Sequence, residues 1–252
     1  MEREDLIIGP SNGWMYAISI YEIEEQISFL RLAGASALEV CFARWGTDGN
    51  RKRMESVQPG LFCNKFRFLS FHLPDFSRWS YPRVQIEKIS ELVAINMPNA
   101  ALIHPLKGDD DLYPEDYYRD LRSAGVPLAI ENMDRDKGSG FLIREILGLV
   151  ESFGLGFVLD VQHAFEHDSS MKYARELFDA LQEAIVHFHV SGETEINNHS
   201  LVCQARNQKA ILDFLGWAFS QKPAPLILEG KYRDPDGLKE EIDFLKRELT
   251  SG

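Results

Sequence analysis

Short apolar runs alternate with longer stretches of helical periodicity along nearly the whole chain. The first run, LIIG over Leu6–Gly9, ends at a Gly-Pro pair, and the next stretch places apolar residues at Ile23, Ile27 and Leu30. Apolar residues at this spacing predict a helix with one buried face, whereas a short continuous run predicts a buried strand. The same alternation predicts further strands at ALEV, FRFLSFHLP, AALIHP, VPLAIEN, GFVLDVQHAF, IVHFHVSG and PLILEG.

The later stretches between these runs also have helical spacing. They predict a long loop after IVHFHVSG and helices over Val84–Ile95, Tyr113–Ala124, Phe141–Phe153, Met171–Ala184 and Gln208–Phe219.

Eight alternating strands and helices favour a closed α/β barrel, the (β/α)8 TIM barrel, over an open doubly wound sheet. Continuous apolar strands are typical of parallel strands buried on both faces. A chain of 252 residues has the size of one such barrel. No glycine-rich G-x-G-x-x-G motif follows the first strand, so no nucleotide cofactor is expected. We therefore predict a single-domain barrel over residues 1–252.

Ionisable residues stand at the predicted carboxyl ends of seven strands. They lie 33, 32, 27, 29, 29 and 40 residues apart, intervals that match one strand and helix each. Because the carboxyl ends of parallel barrel strands share one rim, these residues should become neighbours. They are Glu39, His72, His104, Glu131, Asp160, His189 and Glu229.

Several carboxylates in a partly dry site repel one another unless a cation neutralises them. Glu131, Asp160, His189 and Glu229 form a mixed oxygen and nitrogen set suited to Zn²⁺, Mn²⁺, Mg²⁺ or Co²⁺. No thiolate ligand accompanies them, so open coordination positions and catalysis are favoured over a structural zinc site.

Each of these residues also has a structural interpretation. An Asp after an apolar run often caps a helix, and a glutamate often forms a salt bridge. His187 and His189 lie two apart on one strand face, so only one of them needs to be a ligand. His167 lies beyond the rim and is expected to be solvated. The coincidence of ligand types at consecutive strand ends favours the metal site.

Composition narrows the class of protein. Hydrophobic residues make up 44% of the chain and charged residues 26%, and no apolar run reaches membrane-spanning length. The acidic N-terminus is unlike a secretory signal, so a cytoplasmic location is expected. The three cysteines, Cys41, Cys63 and Cys203, have no C-x-x-C spacing and predict no disulfide framework. The net charge of -12 argues against a polyanion partner, and the basic stretch Asn50–Arg53 is interpreted as a solvated loop.

The motifs SFHLP, LIHPL, LAIEN, VLDVQHAF, HFHVSG and LILEG, in this order and spacing, resemble the xylose isomerase-like TIM barrels, which include endonuclease IV-type apurinic-site nucleases. The resemblance spans about Leu6 to Tyr232. It implies that Glu131, Asp160, His189 and Glu229 bind one catalytic metal ion. In the nuclease branch it implies further ligands at His72, His104 and His163. That branch also has an Asp-x-His pair, which His199 matches but Asn197 does not.

Two enzymatic functions are compatible with this site. In the favoured one, Glu131 and Glu229 exchange a proton with a small sugar or sugar-like substrate held by the metal ion, which is isomerisation or epimerisation. In the alternative, two or three metal ions bound also by His72, His104, His163 and His199 hydrolyse a phosphodiester in abasic DNA.

A third possibility, from another class, is a metal-binding barrel without catalysis. Glu39, His187 and Lys231 are candidates for substrate binding. No membrane partner is expected, a nucleic acid is less favoured than a sugar, and the sequence predicts no particular oligomeric state.

Overall fold

The computed structural model of the chain describes residues 6–18, 20, 22–42, 57, 60–62, 64–74, 83–108 and 110–250. The strands in these ranges are β1 (Ile8–Pro10), β2 (Ala37–Cys41), β3 (Phe68–His72), β4 (Ala100–Ile103), β5 (Leu128–Glu131), β6 (Gly156–Asp160), β7 (Ile185–Val190), β8 (Gly192–Thr194), β9 (Asn197–Ser200) and β10 (Leu226–Leu228).

The α-helices in the same ranges are α1 (Ile23–Leu32), α2 (Arg83–Asn96), α3 (Glu115–Ser123), α4 (Ile143–Phe153), α5 (Val161–His167), α6 (Lys172–Leu181), α7 (Gln208–Gln221) and α8 (Pro235–Thr250). Short 3-10 helices cover Asn12–Ile18, Gln182–Ala184 and Val202–Gln204.

Eight parallel strands form a barrel. Their order is β1-β10-β7-β6-β5-β4-β3-β2, and β1 and β2 close it, because the N–H of Ser36 donates to the carbonyl oxygen of Ile8 at 2.8 Å and Ser11 forms a parallel bridge with Glu39. Gly9 permits this approach, since a Cβ atom there would lie 1.8 Å from the carbonyl oxygen of Ala37. The predicted (β/α)8 barrel is confirmed.

Helices cover the outside of the barrel with their apolar faces. In α4 the buried residues Ile146, Leu149 and Val150 lie on one face. This helix ends at Gly154, whose φ of +60° is the left-handed conformation that glycine adopts without strain. Strands between the helix layer and the barrel interior are buried on both faces, so polar side chains concentrate at the carboxyl-terminal rim.

Three features depart from the predicted order of elements. The short helix α5 begins directly after Asp160, where the sequence predicted no separate helix. The long loop after β7 contains the antiparallel hairpin of β8 and β9. A further helix, α8, follows the last barrel strand and packs against α1 and α7.

Among the described helices, none is long and apolar enough to cross a membrane. The basic stretch Asn50–Arg53 and Cys63 lie outside the described residues.

Candidate metal centre

The rim formed by the ends of β5, β6, β7 and β10 brings four ionisable side chains together. Glu131 and Asp160 are the last residues of β5 and β6, and His189 pairs in register with Asp160. Glu229 directly follows β10. The parallel register therefore places at one rim residues that lie up to 98 positions apart in the sequence, from Glu131 to Glu229.

Glu131, Asp160 and His189 form the compact part of this group. Each offers one ligand atom, and the three atoms lie within 4.8 Å of one another. The Nδ1 atom of His189 is 3.1 Å from Oε2 of Glu131 and 3.5 Å from Oε1 of Glu229. Glu229 thus adjoins the group at the same imidazole nitrogen as Glu131 and is the most exposed of the four side chains, at 20%.

The unsatisfied atoms of this group fit a divalent cation. Among the described residues, Oε2 of Glu131, Oδ2 of Asp160 and Nδ1 of His189 are buried without a hydrogen-bond partner. Buried polar atoms normally have one. Two carboxylates and an imidazole also form a donor set that Zn²⁺ and Mn²⁺ accept. Three of the four sequence-predicted ligands, Glu131, Asp160 and His189, are therefore close enough to share one ion.

The electrostatics of the group are those of crowded buried charges. Burial raises the pKa of Asp160 to about 6, and the carboxylates of Glu229 and Glu131 act in the same direction against the influence of His163. Burial would also raise the pKa of Glu131, but His189, with smaller contributions from His104 and His163, holds it below its usual value. Glu131 is therefore ionised at neutral pH.

The pKa of His189 is raised well above its usual value, because Glu39, Glu229 and Glu131 outweigh the opposing effect of burial. The positive charge of the imidazole thus offsets the negative charge of Glu39 at Nε2 and of Glu131 and Glu229 at Nδ1. A divalent cation on the Nδ1 side would neutralise the negative charge of Glu131 and Glu229 in its place.

Asp160 is held by two sets of hydrogen bonds. Its Oδ1 atom accepts the backbone N–H of His163 at 2.7 Å, which caps α5. The side chain of Asn132 accepts the N–H of Asp160 and donates to its carbonyl oxygen, both at 2.8 Å. Asp160 can therefore both cap the helix and act as a ligand, because Oδ1 caps the helix while Oδ2 faces the site. Sequence reasoning missed Asn132, although it directly follows Glu131.

A second group of possible ligands shares Glu131. The Nε2 atoms of His72 and His104 are 3.1 Å apart, and Nε2 of His104 is 3.7 Å from Oε1 of Glu131. The three side chains together could hold an ion. Burial lowers the pKa of His72, and His104 acts in the same direction, so its imidazole is neutral and able to coordinate a metal ion.

His163 and His199 lie at the mouth of the site. Nδ1 of His163 is 3.0 Å from the carbonyl oxygen of Asn132, and burial, which lowers its pKa, is outweighed by Asp160, Glu131 and Glu229, which raise it to about 9. His199, on β9, approaches Oε2 of Glu229 at 3.8 Å. The ring centroids of the two histidines are 6.0 Å apart.

Asn197 takes no part in this cluster of side chains. Its Oδ1 atom accepts the N–H of His199 at 3.2 Å, and its Nδ2 atom donates to the carbonyl oxygen of His199 at 2.9 Å. The amide therefore stabilises the β8–β9 hairpin instead of pointing to the site.

A cavity of about 300 Å³ opens above these candidate ligands. Glu131, Glu229, His72, His104, His163 and His199 line it, together with residues that sequence reasoning did not identify, namely Ser11, Gly13, Trp14, Cys41, Met133, Asp134 and Lys137. Cys41 ends β2, Gly13 and Trp14 lie in the 3-10 helix after β1, and the others lie outside helices and strands. None of them belongs to a motif that would distinguish it in the sequence.

The three candidate substrate-binding residues are not part of the cavity lining. Glu39 and His187 are completely buried below it, inside the barrel, and Lys231 is exposed beyond β10. The position of Glu39 and His187 in the middle of their strands explains their burial, since only side chains at or beyond the strand ends reach the cavity. His167, expected to be solvated, instead lies part-buried with Nε2 3.0 Å from the carbonyl oxygen of Met133.

Comparison with solved structures identifies the fold. A D-tagatose 3-epimerase-like protein superposes with a TM-score of 0.65 at 16% identity, covering 97% of this chain and 98% of its own. A xylose isomerase domain-containing protein from Salmonella typhimurium gives 0.67 at 14% identity and 99% coverage of both chains. The chain has the xylose isomerase-like TIM-barrel fold.

A D-psicose 3-epimerase determined in the presence of D-fructose has the same xylose isomerase-like fold, with a TM-score of 0.63 at 12% identity over 97% of this chain and 99% of its own. No protein-family model matches the sequence, and no curated protein matches it. At these identities the likeness establishes the fold alone.

Proposed function

We propose that this protein is a divalent-metal-dependent enzyme that isomerises or epimerises a sugar or sugar-like substrate. The observation that carries the proposal is the position of Glu131 and Glu229, whose carboxylates lie 3.1 and 3.5 Å from the same atom, Nδ1 of His189, and both line the cavity. Two carboxylates at one site can act as a proton acceptor and a proton donor. The D-psicose 3-epimerase among the structural neighbours supports the same class of reaction.

Glu131, Asp160, His189 and Glu229 would hold the ion. When bound, a divalent cation would polarise a substrate carbonyl and align the neighbouring hydroxyl group.

The chain's own carboxylates would move the proton. One glutamate accepts the proton from the hydroxyl-bearing carbon next to the carbonyl, and the other returns a proton to that carbon from the opposite face, which inverts its configuration. Return of the proton to the former carbonyl carbon gives the isomer instead. Glu131 suits the accepting role, because His189 outweighs burial and keeps the Glu131 carboxyl group ionised at neutral pH.

The direct test follows proton exchange. Protein loaded with Mn²⁺, Zn²⁺, Mg²⁺ or Co²⁺ is incubated in deuterated water with a panel of ketoses and aldoses, and incorporation of deuterium at carbon is measured by NMR. We expect incorporation next to the carbonyl of at least one sugar. Absence of exchange with every sugar and every ion, in protein shown to hold metal, would contradict the proposal.

A second candidate function is hydrolysis of a phosphodiester, and the group formed by His72, His104 and Glu131 favours it. This group is a second set of ligands adjoining the first through the shared Glu131 carboxylate, as two-metal phosphodiesterases require. The role of Asn197 in the hairpin and the net charge of -12 weigh against it, since DNA binding relies on basic side chains.

Metal analysis separates the possibilities. One tightly bound ion per chain supports the sugar reaction, whereas two or more ions together with nicking of plasmid that contains abasic sites support hydrolysis. Stoichiometric metal without either activity would leave the non-catalytic metal-binding barrel.

A further inference from the structure

The buried carboxylate of Glu39 reaches across the barrel interior to the opposite edge of the His189 imidazole. Oε2 of Glu39 and Nε2 of His189 form a hydrogen bond of 3.1 Å between residues 150 positions apart. Both side chains are completely buried. The two strands that carry them, β2 and β7, are not neighbours in the sheet, so the barrel interior is what brings the two side chains together.

Ser70 fixes the carboxylate from the neighbouring strand. Glu39 and Ser70 are register partners in β2 and β3, and the Ser70 hydroxyl donates to Oε2 of Glu39 at 3.0 Å. Oε2 therefore receives donors from two sides, with Nε2 of His187 at 3.5 Å from the same oxygen. Oε2 of Glu39 is thereby an acceptor of an N–H and an O–H group.

A neutral imidazole carries one proton, and the hydrogen bond determines which nitrogen holds it. An ionised carboxylate only accepts, so the proton lies on Nε2 and the lone pair on Nδ1. Nδ1 is the nitrogen that faces Glu131 and Glu229. We infer that Glu39 is a positioning residue that fixes the tautomer and ring orientation of His189, so that His189 binds a divalent ion through Nδ1.

This inference rests on the proposed metal site and extends it to a side chain that touches neither the ion nor the substrate. Carboxylates that accept the second N–H of a metal-binding histidine orient the ring and raise its basicity, and their loss typically lowers metal affinity about 10-fold to 100-fold. His189 would thus bind the ion through Nδ1 while its own Nε2 proton stays hydrogen-bonded to Glu39.

The first experiment needs no substitution. Protein with ¹⁵N-labelled histidine is loaded with Zn²⁺, which is diamagnetic, and its imidazole nitrogens are assigned by long-range ¹H–¹⁵N spectra. We expect His189 to show a protonated Nε2 in a strong hydrogen bond and a metal-bound Nδ1. A proton on Nδ1 with the metal ion on Nε2 would overturn the inference while leaving the metal site intact.

The second experiment measures Zn²⁺ affinity by competition with a chromophoric chelator. Glu39→Gln keeps the shape of the side chain and removes its charge, and we expect affinity to fall about 10-fold to 100-fold, with the Nε2 proton signal moving upfield. Glu241→Gln is the matched control, because Glu241 is also buried but accepts backbone N–H groups of Val202 and Cys203. It should bind Zn²⁺ as the wild type does.

The outcomes distinguish this inference from the proposed function. Unchanged affinity in Glu39→Gln, or an equal loss in both variants, would overturn the positioning role alone. Wild-type protein that binds no divalent ion would overturn the proposed function and this inference together. If Glu39→Gln does not fold, the spectrum of the wild type still decides which nitrogen carries the proton.

Discussion

The Nδ1 atom of His189 lies 3.1 Å from Oε2 of Glu131, and neither atom has a hydrogen-bond partner among the described residues. A nitrogen and an oxygen at this separation can both bind one divalent cation. The proposed role of Glu131 as both ligand and proton acceptor follows from this relationship.

Glu131→Gln should abolish turnover and leave the barrel folded. The amide has the same shape but cannot accept a proton from carbon, and general base catalysis alone contributes about 10²-fold to 10⁴-fold. Deuterium incorporation into the substrate measures the loss, and circular dichroism checks the fold. Glu151→Gln, an exposed residue on α4, serves as control, and retained activity in Glu131→Gln would contradict the role assigned here.

Asp160→Asn should stabilise the metal-free protein and weaken its response to metal. The pKa of Asp160 is raised to about 6 by burial and by Glu229 and Glu131, above an unfolded value of about 3.9. The ionised form therefore lowers stability as pH rises through this window, and the cost is complete at pH 7. The amide removes the charge but can still accept the N–H of His163.

Urea unfolding at pH 7 measures both effects. With a chelator present, Asp160→Asn should be about 1 to 3 kcal/mol more stable than the wild type. With metal at 100 times the dissociation constant, the wild type should gain about 2.7 kcal/mol and the variant distinctly less. Asp179→Asn, exposed on α6, is the control. A variant less stable than the wild type in chelator would argue against charge crowding.

Asn197→Asp should not create a further metal site. Both polar atoms of Asn197 bond to the backbone of His199, so a carboxylate at this position would lose the donor to a carbonyl oxygen and loosen the hairpin. Elemental analysis of wild type and variant should give the same number of ions per chain. An additional ion in the variant would show that the hairpin can turn residue 197 towards the site.

Glu241→Ala should destabilise the fold in a pH-dependent way. Glu241 accepts the N–H groups of Val202 and Cys203 at 2.6 and 3.0 Å, and leaving such donors unsatisfied costs about 1 to 3 kcal/mol. Burial raises the pKa of Glu241 against the effect of these hydrogen bonds. A raised pKa means that the protonated form is the more stabilising one, so the contribution of Glu241 declines as pH rises above about 4.3.

Urea unfolding at several pH values between 5 and 8 tests whether the stability contribution of Glu241 declines as pH rises. The difference in stability between wild type and Glu241→Ala should be largest at pH 5 and smallest at pH 8. Glu151→Ala, at an exposed position on α4, is the control and should show no such trend. A difference that grows with pH would contradict a raised pKa.

The sequence by itself predicted the barrel and the residues at its rim. Apolar runs at regular intervals require parallel strands buried on both faces, and the strand ends of such a barrel share one rim. Glu131, Asp160, His189 and Glu229 could therefore be grouped from their positions in the chain, and the fold brings them together. Their roles stay predictions that the experiments above address.

Only the tertiary structure decided which atoms of these side chains form structural hydrogen bonds and which face the candidate metal site. Closure of the barrel brings Glu39 to His189 across 150 residues. Pairing of β5 with β6 lets Asn132 hold Asp160, and local backbone geometry assigns Asn197 to the hairpin. These contacts depend on strand register, rotamers and distances across the barrel. Periodicity along the chain indicates which face of its strand or helix a residue occupies. The residue that it contacts on the far side of the barrel is determined only when the sheet closes.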